Sequence, residues 1–159
     1  MSKVNAAIMM VLLALGVAPS LRAADLEIGQ PAPAFDETDE SGQTHTLADY
    51  KGKVVVLEWT NPQCPYVVRH YNADTMETLA REFGAEGVVW LAVNSSHFNQ
   101  PSDTVEWKSA EGFAYATLQD ADGSLGKLYE AKTTPHMFVI DPQGKLIYQG
   151  AIDSNPRDP

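Results

Sequence analysis

The sequence predicts a single α/β domain, in which helices flank a central mixed sheet and a β-hairpin precedes that sheet. Three observations support this prediction. Residues 53–59 and 87–94 are short apolar runs, typical of strands that are buried on both faces. An amphipathic segment at 65–83 separates them, which predicts a parallel β-α-β unit with a right-handed crossover. Residues 136–140 and 145–149 flank an Asp-Pro-Gln-Gly turn, which predicts an antiparallel hairpin.

Length and charge exclude several classes of protein. The chain has 159 residues, which is enough for one compact domain. Its hydrophobic content of 44% excludes disorder over most of the length. The net charge of -10 disfavours nucleic acid and anionic membrane surfaces as partners.

The first 23 residues have the order of a secretory signal peptide. Lys3 is basic, residues 6–17 are apolar, and Pro19, Ser20 and Ala23 follow, with no acidic residue before Asp25. The apolar run is shorter than the about 20 residues that span a bilayer. We expect residues 1–23 to be removed, residues 24–159 to form a periplasmic domain, and no stable membrane insertion after cleavage. An uncleaved amino-terminal anchor is the alternative.

The other elements follow from turn and helix signals. We expect a hairpin at 35–45 that turns at Ser41-Gly42, and Gly112 to end a helix. The remaining predictions are a helical turn at 46–50, a helix at 101–111, a strand at 116–119 and a short helix at 122–129. A terminal hairpin is normally covered by another helix. None follows before Pro159, so we expect the sequence to lack a C-terminal helix.

The segment 65–83 is predicted to be one continuous helix. Pro65 suits the first helical position, and Gly84 suits the position just after the last turn. The face expected to pack on the sheet consists of Val67, Tyr71, Thr75, Leu79 and Phe83.

Cys64 is the only cysteine, and it immediately precedes this helix. A lone cysteine in an exported chain is a reactive thiol or half of an intermolecular disulfide. The amino terminus of a helix stabilises a thiolate through its partial positive charge and its N–H groups. Because Pro65 has no N–H, the donors are expected to come from Tyr66 and Val67. Arg69 and His70 are expected to add positive potential if they face back towards the thiol. The alternative is an inert buried cysteine.

Three segments resemble the redoxin branch of the thioredoxin superfamily. They are residues 29–35, residues 47–56 and the Thr-Thr-Pro-His-Met-Phe-Val-Ile-Asp run at 133–141. This branch includes the alkyl hydroperoxide reductase/thiol-specific antioxidant proteins and exported thioredoxin-like disulfide reductases. The resemblance implies a thioredoxin-like fold and a nucleophilic Cys64. It also implies a cis-proline at Pro135, with Thr134 against the sulfur, where its backbone would receive an extended substrate.

Glu58 lies six residues before Cys64, where thioredoxins have a buried acid beneath the active cysteine. A carboxyl buried in a central strand has a raised pKa and can move protons to or from reacting thiols. The alternative is a solvated side chain at the edge of the sheet.

Two departures from the family patterns leave the reaction open. Val67 replaces the second cysteine of Cys-x-x-Cys, so resolution within that motif is impossible. Thr60 lies four residues before the cysteine rather than three, and no arginine lies between Arg81 and Arg157, so the peroxidase pattern is incomplete. The sequence predicts thiol-disulfide exchange with a disulfide-bearing protein or thiol reductant, or reduction of a small hydroperoxide. Some exported members of the redoxin group with a similar loop end in an additional cysteine after a final helix, which here would lie beyond Pro159.

A copper-binding protein and a non-catalytic interaction domain are the alternatives. The residues that could suit copper are Cys64, His70, His97, His136 and Met137. Copper chaperones of this superfamily use two cysteines here, so we expect no metal and no cofactor. His70 is interpreted as a solvated or capping residue, and His45 and His97 as surface loop residues. The tryptophans are interpreted as packing residues: Trp59, Trp90 and Trp107.

Overall fold

The structure is a computed structural model that describes residues 26–155. A five-stranded sheet forms its centre. The strands in chain order are β1 Asp36–Thr38, β2 Thr44–Thr46, β3 Val55–Trp59, β4 Val89–Asn94, β5 Thr117–Gln119, β6 His136–Ile140 and β7 Leu146–Gly150. The α-helices are α1 Pro65–Asn72, α2 Thr75–Ala85, α3 Pro101–Glu111 and α4 Ser124–Leu128, and a 3₁₀ turn spans Leu47–Tyr50. The predicted elements are therefore present, except that two helices replace the one predicted at 65–83, and most bounds are shifted by one or two residues.

The central strand is β3. The sheet order is β5-β4-β3-β6-β7, and β3 pairs in parallel with β4 and antiparallel with β6. The predicted β-α-β unit and the terminal β6–β7 hairpin are confirmed. All five residues of β3 are buried, as expected for a strand with a neighbour on each side and helices on its faces.

Alternate residues of β3 enter two different cores. Leu57 and Trp59 belong to one cluster, together with Tyr129 and Phe138, and we call this cluster the apolar core. Val56 belongs to a second cluster on the opposite face, here called the site-side core. The buried members of the site-side core are Val56, Val67, Tyr71, Met76, Trp90, Phe113 and Met137. Cys64 packs against this second core, and Glu58 also faces it, because strand side chains alternate between faces.

The prediction of one helix at 65–83 is wrong, because the chain forms two helices there. Asp74 has φ 53° and ψ 22°, a left-handed conformation that interrupts helical geometry. The break changes which residues of the second helix are buried. Met76 is fully buried, whereas Phe83 is 43% exposed. The helix also ends at Ala85, beyond the predicted stop at Gly84.

The N-terminal hairpin is confirmed, as strands β1 and β2 pair antiparallel. Glu40 ties it to the domain, accepting hydrogen bonds from Lys108 Nζ and from the backbone N–H of Thr117. The interpretation of His45 as a surface loop residue is wrong. His45 is buried in β2, where its Nε2 lies 2.9 Å from Asp39 Oδ2 and its Nδ1 contacts the Tyr50 hydroxyl.

Two predictions concern the ends of the chain. The signal peptide predicted at 1–23 lies outside the described residues. Among residues 26–155, no helix has the length and apolar character needed to cross a membrane. After β7, residues 151–155 contain no helix or strand.

Candidate active site at Cys64

Cys64 is the N-cap residue of α1 and is half-buried. Pro65 occupies the first helical position, as predicted. The Val67 N–H does not face the sulfur, because it donates to the Cys64 carbonyl oxygen at 3.0 Å. The first turn donates no capping hydrogen bond to the Cys64 side chain. Any stabilisation of a thiolate by α1 therefore comes from the field of its amino terminus rather than from a direct bond.

The thiol of Cys64 contacts the loop before β6. Its Sγ lies 3.2 Å from the backbone oxygen of Thr134, to which the thiol donates. The Thr134–Pro135 peptide bond is cis. The two loops meet because β3 and β6 are adjacent, with Trp59 opposite His136 at the ends from which both loops emerge. The structure therefore brings Cys64, Thr134 and Pro135 together.

Glu58 is fully buried, which excludes the alternative of a solvated side chain. Its Oε1 accepts a hydrogen bond from the Tyr71 hydroxyl at 2.9 Å, and its Oε2 accepts one from Trp90 Nε1 at 2.9 Å. The Tyr115 hydroxyl lies 3.3 Å from Oε2 and 2.8 Å from the Tyr71 hydroxyl. Burial raises the pKa of Glu58 to about 7, although the hydrogen bonds from Trp90, Tyr71 and Tyr115 oppose the rise.

Sequence reasoning missed the partners of Glu58. The sequence pattern places Tyr71 only on the face that packs on the sheet, indicates a packing role for Trp90, and does not single out Tyr115. The available signal was chemical: a buried tyrosine or tryptophan usually finds a partner for its O–H or N–H. A buried carboxyl on the neighbouring strand is such a partner.

Arg69 turns towards the C-terminal segment of the described chain. Its Nη2 lies 3.3 Å from Asp153 Oδ2 and 3.3 Å from the backbone oxygen of Asn155. Its guanidinium carbon lies 5.6 Å from the ring centre of Tyr66, which is exposed. The charge of Arg69 is thus shared with Asp153, which weakens the positive potential that we expected it to add at Cys64.

The interpretation of His70 as a solvated or capping residue is wrong. Its side chain is only 1% exposed, and its Nε2 lies 3.3 Å from Asp153 Oδ2. Burial lowers the pKa of His70 and Arg69 lowers it further, whereas Asp153 opposes both effects. His70 is hidden because Asp153 and its neighbours pack over this side of α1, a contact between positions far apart in sequence.

Two clefts border Thr134. The larger, about 590 Å³, is lined by Trp59, Ser95, Gly126, Lys127 and Lys132 among others. The smaller, about 230 Å³, is lined by Tyr66, Arg69, His70, Pro135, Ile152 and Asp153 among others. Because Thr133 and Thr134 line both clefts, the loop that faces Cys64 has open space on two sides.

The His and Cys residues considered for copper form no group of three within residues 26–155. Within the described range 26–155, no three His, Cys, Asp or Glu side chains are close enough together to hold a metal ion. His97 is exposed in the loop after β4, whereas His136 is buried. His136 Nδ1 accepts a hydrogen bond from the backbone N–H of Lys132 at 3.3 Å.

The AhpC/TSA family pattern matches residues 28–149. The chain belongs to this family. It is 32% identical over 121 residues to the thiol-disulfide oxidoreductase ResA of Geobacillus kaustophilus, a match that covers 75% of this chain and 66% of the relative. It is 30% identical over 132 residues to the thiol:disulfide interchange protein DsbE of Pseudomonas aeruginosa, covering 79% of this chain and 68% of the relative. The matched region thus spans about two thirds of the length of these curated relatives.

The fold is thioredoxin-like, as predicted. A crystal structure of an uncharacterised conserved protein from Geobacillus kaustophilus superposes with a TM-score of 0.74. The match covers 82% of this chain and 71% of that one, at 24% sequence identity. The enzyme class predicted from the sequence agrees with the names of the curated relatives.

Proposed function

We propose that the protein is a thiol-dependent oxidoreductase in which Cys64 is the nucleophile. The observation that carries the proposal is the position of its Sγ, at the amino terminus of α1 and 3.2 Å from the Thr134 backbone oxygen. The names of the relatives support the same chemistry, since both refer to thiol-disulfide exchange. The burial of Glu58 on the same face of the sheet against which Cys64 packs supports a proton-handling role for this carboxyl.

The favoured reaction is thiol-disulfide exchange. The Cys64 thiolate attacks one sulfur of a substrate disulfide, a new S–S bond forms to Cys64, and the other substrate sulfur leaves as a thiolate. A second thiolate, from an external reductant, then attacks the mixed disulfide and releases Cys64 as a thiolate. Val67 stands where a Cys-x-x-Cys motif has its second cysteine, so the second thiol does not come from that motif.

Glu58 would act as the general base and general acid in these steps. Because its pKa is raised to about 7, both its neutral and its ionised forms are populated near neutral pH. The ionised form can accept the proton of the Cys64 thiol before attack. The neutral form can return a proton to a thiolate that leaves.

A disulfide-bearing protein segment is the proposed substrate. The clefts on both sides of Thr134 leave room for an extended chain to pass over the Thr134–Pro135 loop. An extended segment placed there could use the backbone of Thr134 for hydrogen bonding while its disulfide reaches Cys64.

Reduction of a small hydroperoxide is the second candidate. It is favoured by the single cysteine of the sequence, because a one-cysteine cycle needs no internal partner. The Cys64 thiolate would attack the peroxide O–O bond and become a sulfenic acid, and the alkoxide or hydroxide that leaves would take up a proton. The pairing of Arg69 with Asp153 counts against this reaction, since it weakens the positive potential that Arg69 could direct at a bound peroxide.

One experiment separates the two reactions. Wild type and Cys64→Ser are incubated with a peptide that contains a disulfide, and the mixed disulfide is detected by mass spectrometry. In parallel, consumption of hydrogen peroxide is followed with dithiothreitol as reductant. We expect a Cys64-dependent mixed disulfide that excess thiol resolves. Cys64-dependent peroxide turnover without a mixed disulfide would replace exchange by the peroxidase reaction. Failure of both would indicate a non-catalytic interaction domain.

We also propose export to the periplasm through residues 1–23. The support is the order of basic, apolar and small residues in that segment. Expression in a Gram-negative host followed by fractionation and intact-mass measurement tests it. A periplasmic product that begins at Ala24 is expected. Recovery of the full-length chain with the membranes would instead indicate an uncleaved anchor.

A further inference from the structure

Glu58 has no direct access to solvent, yet its proposed role requires it to take up and release a proton. A hydroxyl chain begins at its Oε1, where the Tyr71 hydroxyl donates at 2.9 Å. The Tyr115 hydroxyl lies 2.8 Å from that of Tyr71. Tyr115 is only partly buried and lines a cleft of about 400 Å³, together with Glu77 and Arg81. The two hydroxyls therefore connect the buried carboxyl to a residue that lines an open cleft.

We propose that the hydroxyls of Tyr71 and Tyr115 form a proton relay between Glu58 and solvent in this cleft. The inference rests on the proposed proton-handling role of Glu58. It assigns two further residues to the reaction as positioning and relay groups. It also means that Glu58 can exchange its proton with solvent on a side of the domain that the substrate does not cover.

The transfer balances without any co-reactant other than water. The Glu58 carboxyl gives its proton to the Tyr71 oxygen while the Tyr71 proton moves to the Tyr115 oxygen. The Tyr115 proton then passes to a water molecule in the cleft, leaving a carboxylate and a hydronium ion. Burial raises the pKa of both tyrosines, so neither is ionised near neutral pH. Each hydroxyl must therefore receive a proton as it gives one.

The chemistry of the Glu58 contacts favours a proton route through the tyrosines over one through Trp90. A tyrosine hydroxyl can both donate and accept a hydrogen bond, whereas an indole N–H can only donate. Trp90 therefore holds Oε2 in place at 2.9 Å without offering a path for the proton. The 3.3 Å contact between Tyr115 and Oε2 offers a shorter version of the same path, which ends at the same cleft.

The charged groups around the relay are consistent with proton transfer from Glu58 towards the cleft. Glu77 on α2 lines the cleft and raises the pKa of Tyr115, so a carboxylate lies near the outer end of the chain. Arg81 on the same helix lines the cleft as well. From α3, Lys108 Nζ donates to the backbone oxygen of Tyr115 at 2.7 Å and so fixes the outer residue. Cys64 packs on the same core at the other end of the site.

The Trp90 indole provides a direct spectroscopic probe, because its N–H is bonded to the carboxylate. The pH titration of the Trp90 Nε1–H resonance is recorded by NMR, and the rate of proton exchange at Glu58 is measured by relaxation dispersion at the titration midpoint. We expect Tyr115→Phe, which removes the outer end of both routes, to slow this exchange at least tenfold. Tyr71→Phe should slow it less, because the direct contact between Tyr115 and Oε2 remains. The internal reference is the Trp59 indole, which donates to Ser95 Oγ at 3.1 Å on the opposite face.

Tyr129→Phe is the matched control variant. It removes another buried hydroxyl, one that donates to the Pro33 backbone oxygen at 2.6 Å in the apolar core. Its exchange rate at Glu58 should equal that of wild type. A titrating Trp90 resonance with unchanged exchange in Tyr115→Phe would overturn the relay while leaving the role of Glu58 intact. A Trp90 resonance that shows no titration would instead remove the role of Glu58 itself, and the relay with it. Neither result depends on turnover by Cys64.

Discussion

The two faces of β3 are equally buried and chemically different. Leu57 and Glu58 are adjacent, and each is 0% exposed. In the apolar core, the buried polar tips of Trp59 and Tyr129 bond separately, to Ser95 and to the Pro33 backbone. On the other face, Trp90, Tyr71 and Tyr115 converge on one carboxyl.

The difference shows which surroundings allow a buried carboxyl to titrate near neutral pH. Burial alone gives a packed core, as on the Leu57 face. On the Glu58 face, burial is combined with neutral donors that satisfy the carboxyl oxygens without supplying a positive charge. The donors limit the rise in pKa but do not cancel it, so the group titrates near neutral pH. The following predictions test this contrast, from the largest expected effect to the smallest.

Leu57→Ala should reduce stability without changing the chemistry. Removing a fully buried leucine side chain costs about 4 kcal/mol of unfolding free energy, because the cavity cannot be filled by its neighbours. Urea denaturation measures this loss. The rate of Cys64 alkylation per folded molecule should stay at the wild-type value, and a change of tenfold or more would contradict the separation of the two faces. Val105→Ala, at a position that is 51% exposed, is the control and should change stability by less than about 0.5 kcal/mol.

Glu58 should make stability fall as pH rises. The folded protein keeps the proton up to about pH 7, whereas the unfolded chain releases it near the ordinary value of 4.5. Stability is therefore highest below pH 4.5 and decreases through pH 7, with a total loss on the order of 3 kcal/mol. Denaturation of wild type and Glu58→Gln at pH 4.5 and pH 8 isolates this contribution. A difference between the two proteins that does not depend on pH would show that Glu58 is not the titrating group.

Trp90→Phe should shift the titration of Glu58 upwards. The substitution removes one hydrogen bond to the carboxylate, which is one of the interactions that lower its pKa. We expect the midpoint to rise by about one unit, equivalent to about 1.4 kcal/mol. Carbon-13 NMR of the Glu58 carboxyl measures it. Trp59→Phe deletes the corresponding group on the other face and should leave the midpoint unchanged.

Local sequence patterns predicted the elements that local chemistry determines. The bounds of α3 and β6 agree with the prediction, because Pro101 and Gly112 mark the helix ends and the apolar run marks the strand. The break between α1 and α2 was missed because Asp74 is not a glycine, and the amphipathic stripe continues past it. A hydrophobicity pattern contains little information about a left-handed backbone conformation at an aspartate.

The polar surroundings of the site were harder to predict, because they depend on contacts between distant positions. Asp153 reaches Arg69 across 84 residues, and the Tyr115 hydroxyl reaches Glu58 across 57. The sequence indicated that Cys64 and Glu58 share a strand-to-helix unit. It gave no local signal for which tyrosine would face the carboxyl or which segment would cover His70.

The pairing of β3 with β6 also affects when the site is assembled during folding. Cys64 and Thr134 are separated by 70 residues, whereas the β3-α-β4 unit is continuous in sequence. Contacts between distant positions carry a larger loop-closure entropy and form more slowly. We expect the cysteine to emerge on an early β-α-β unit and to meet Thr134 only when the last hairpin docks. During that interval the thiol lacks the loop that borders it in the native fold, and a folding catalyst or an oxidant could then reach it freely.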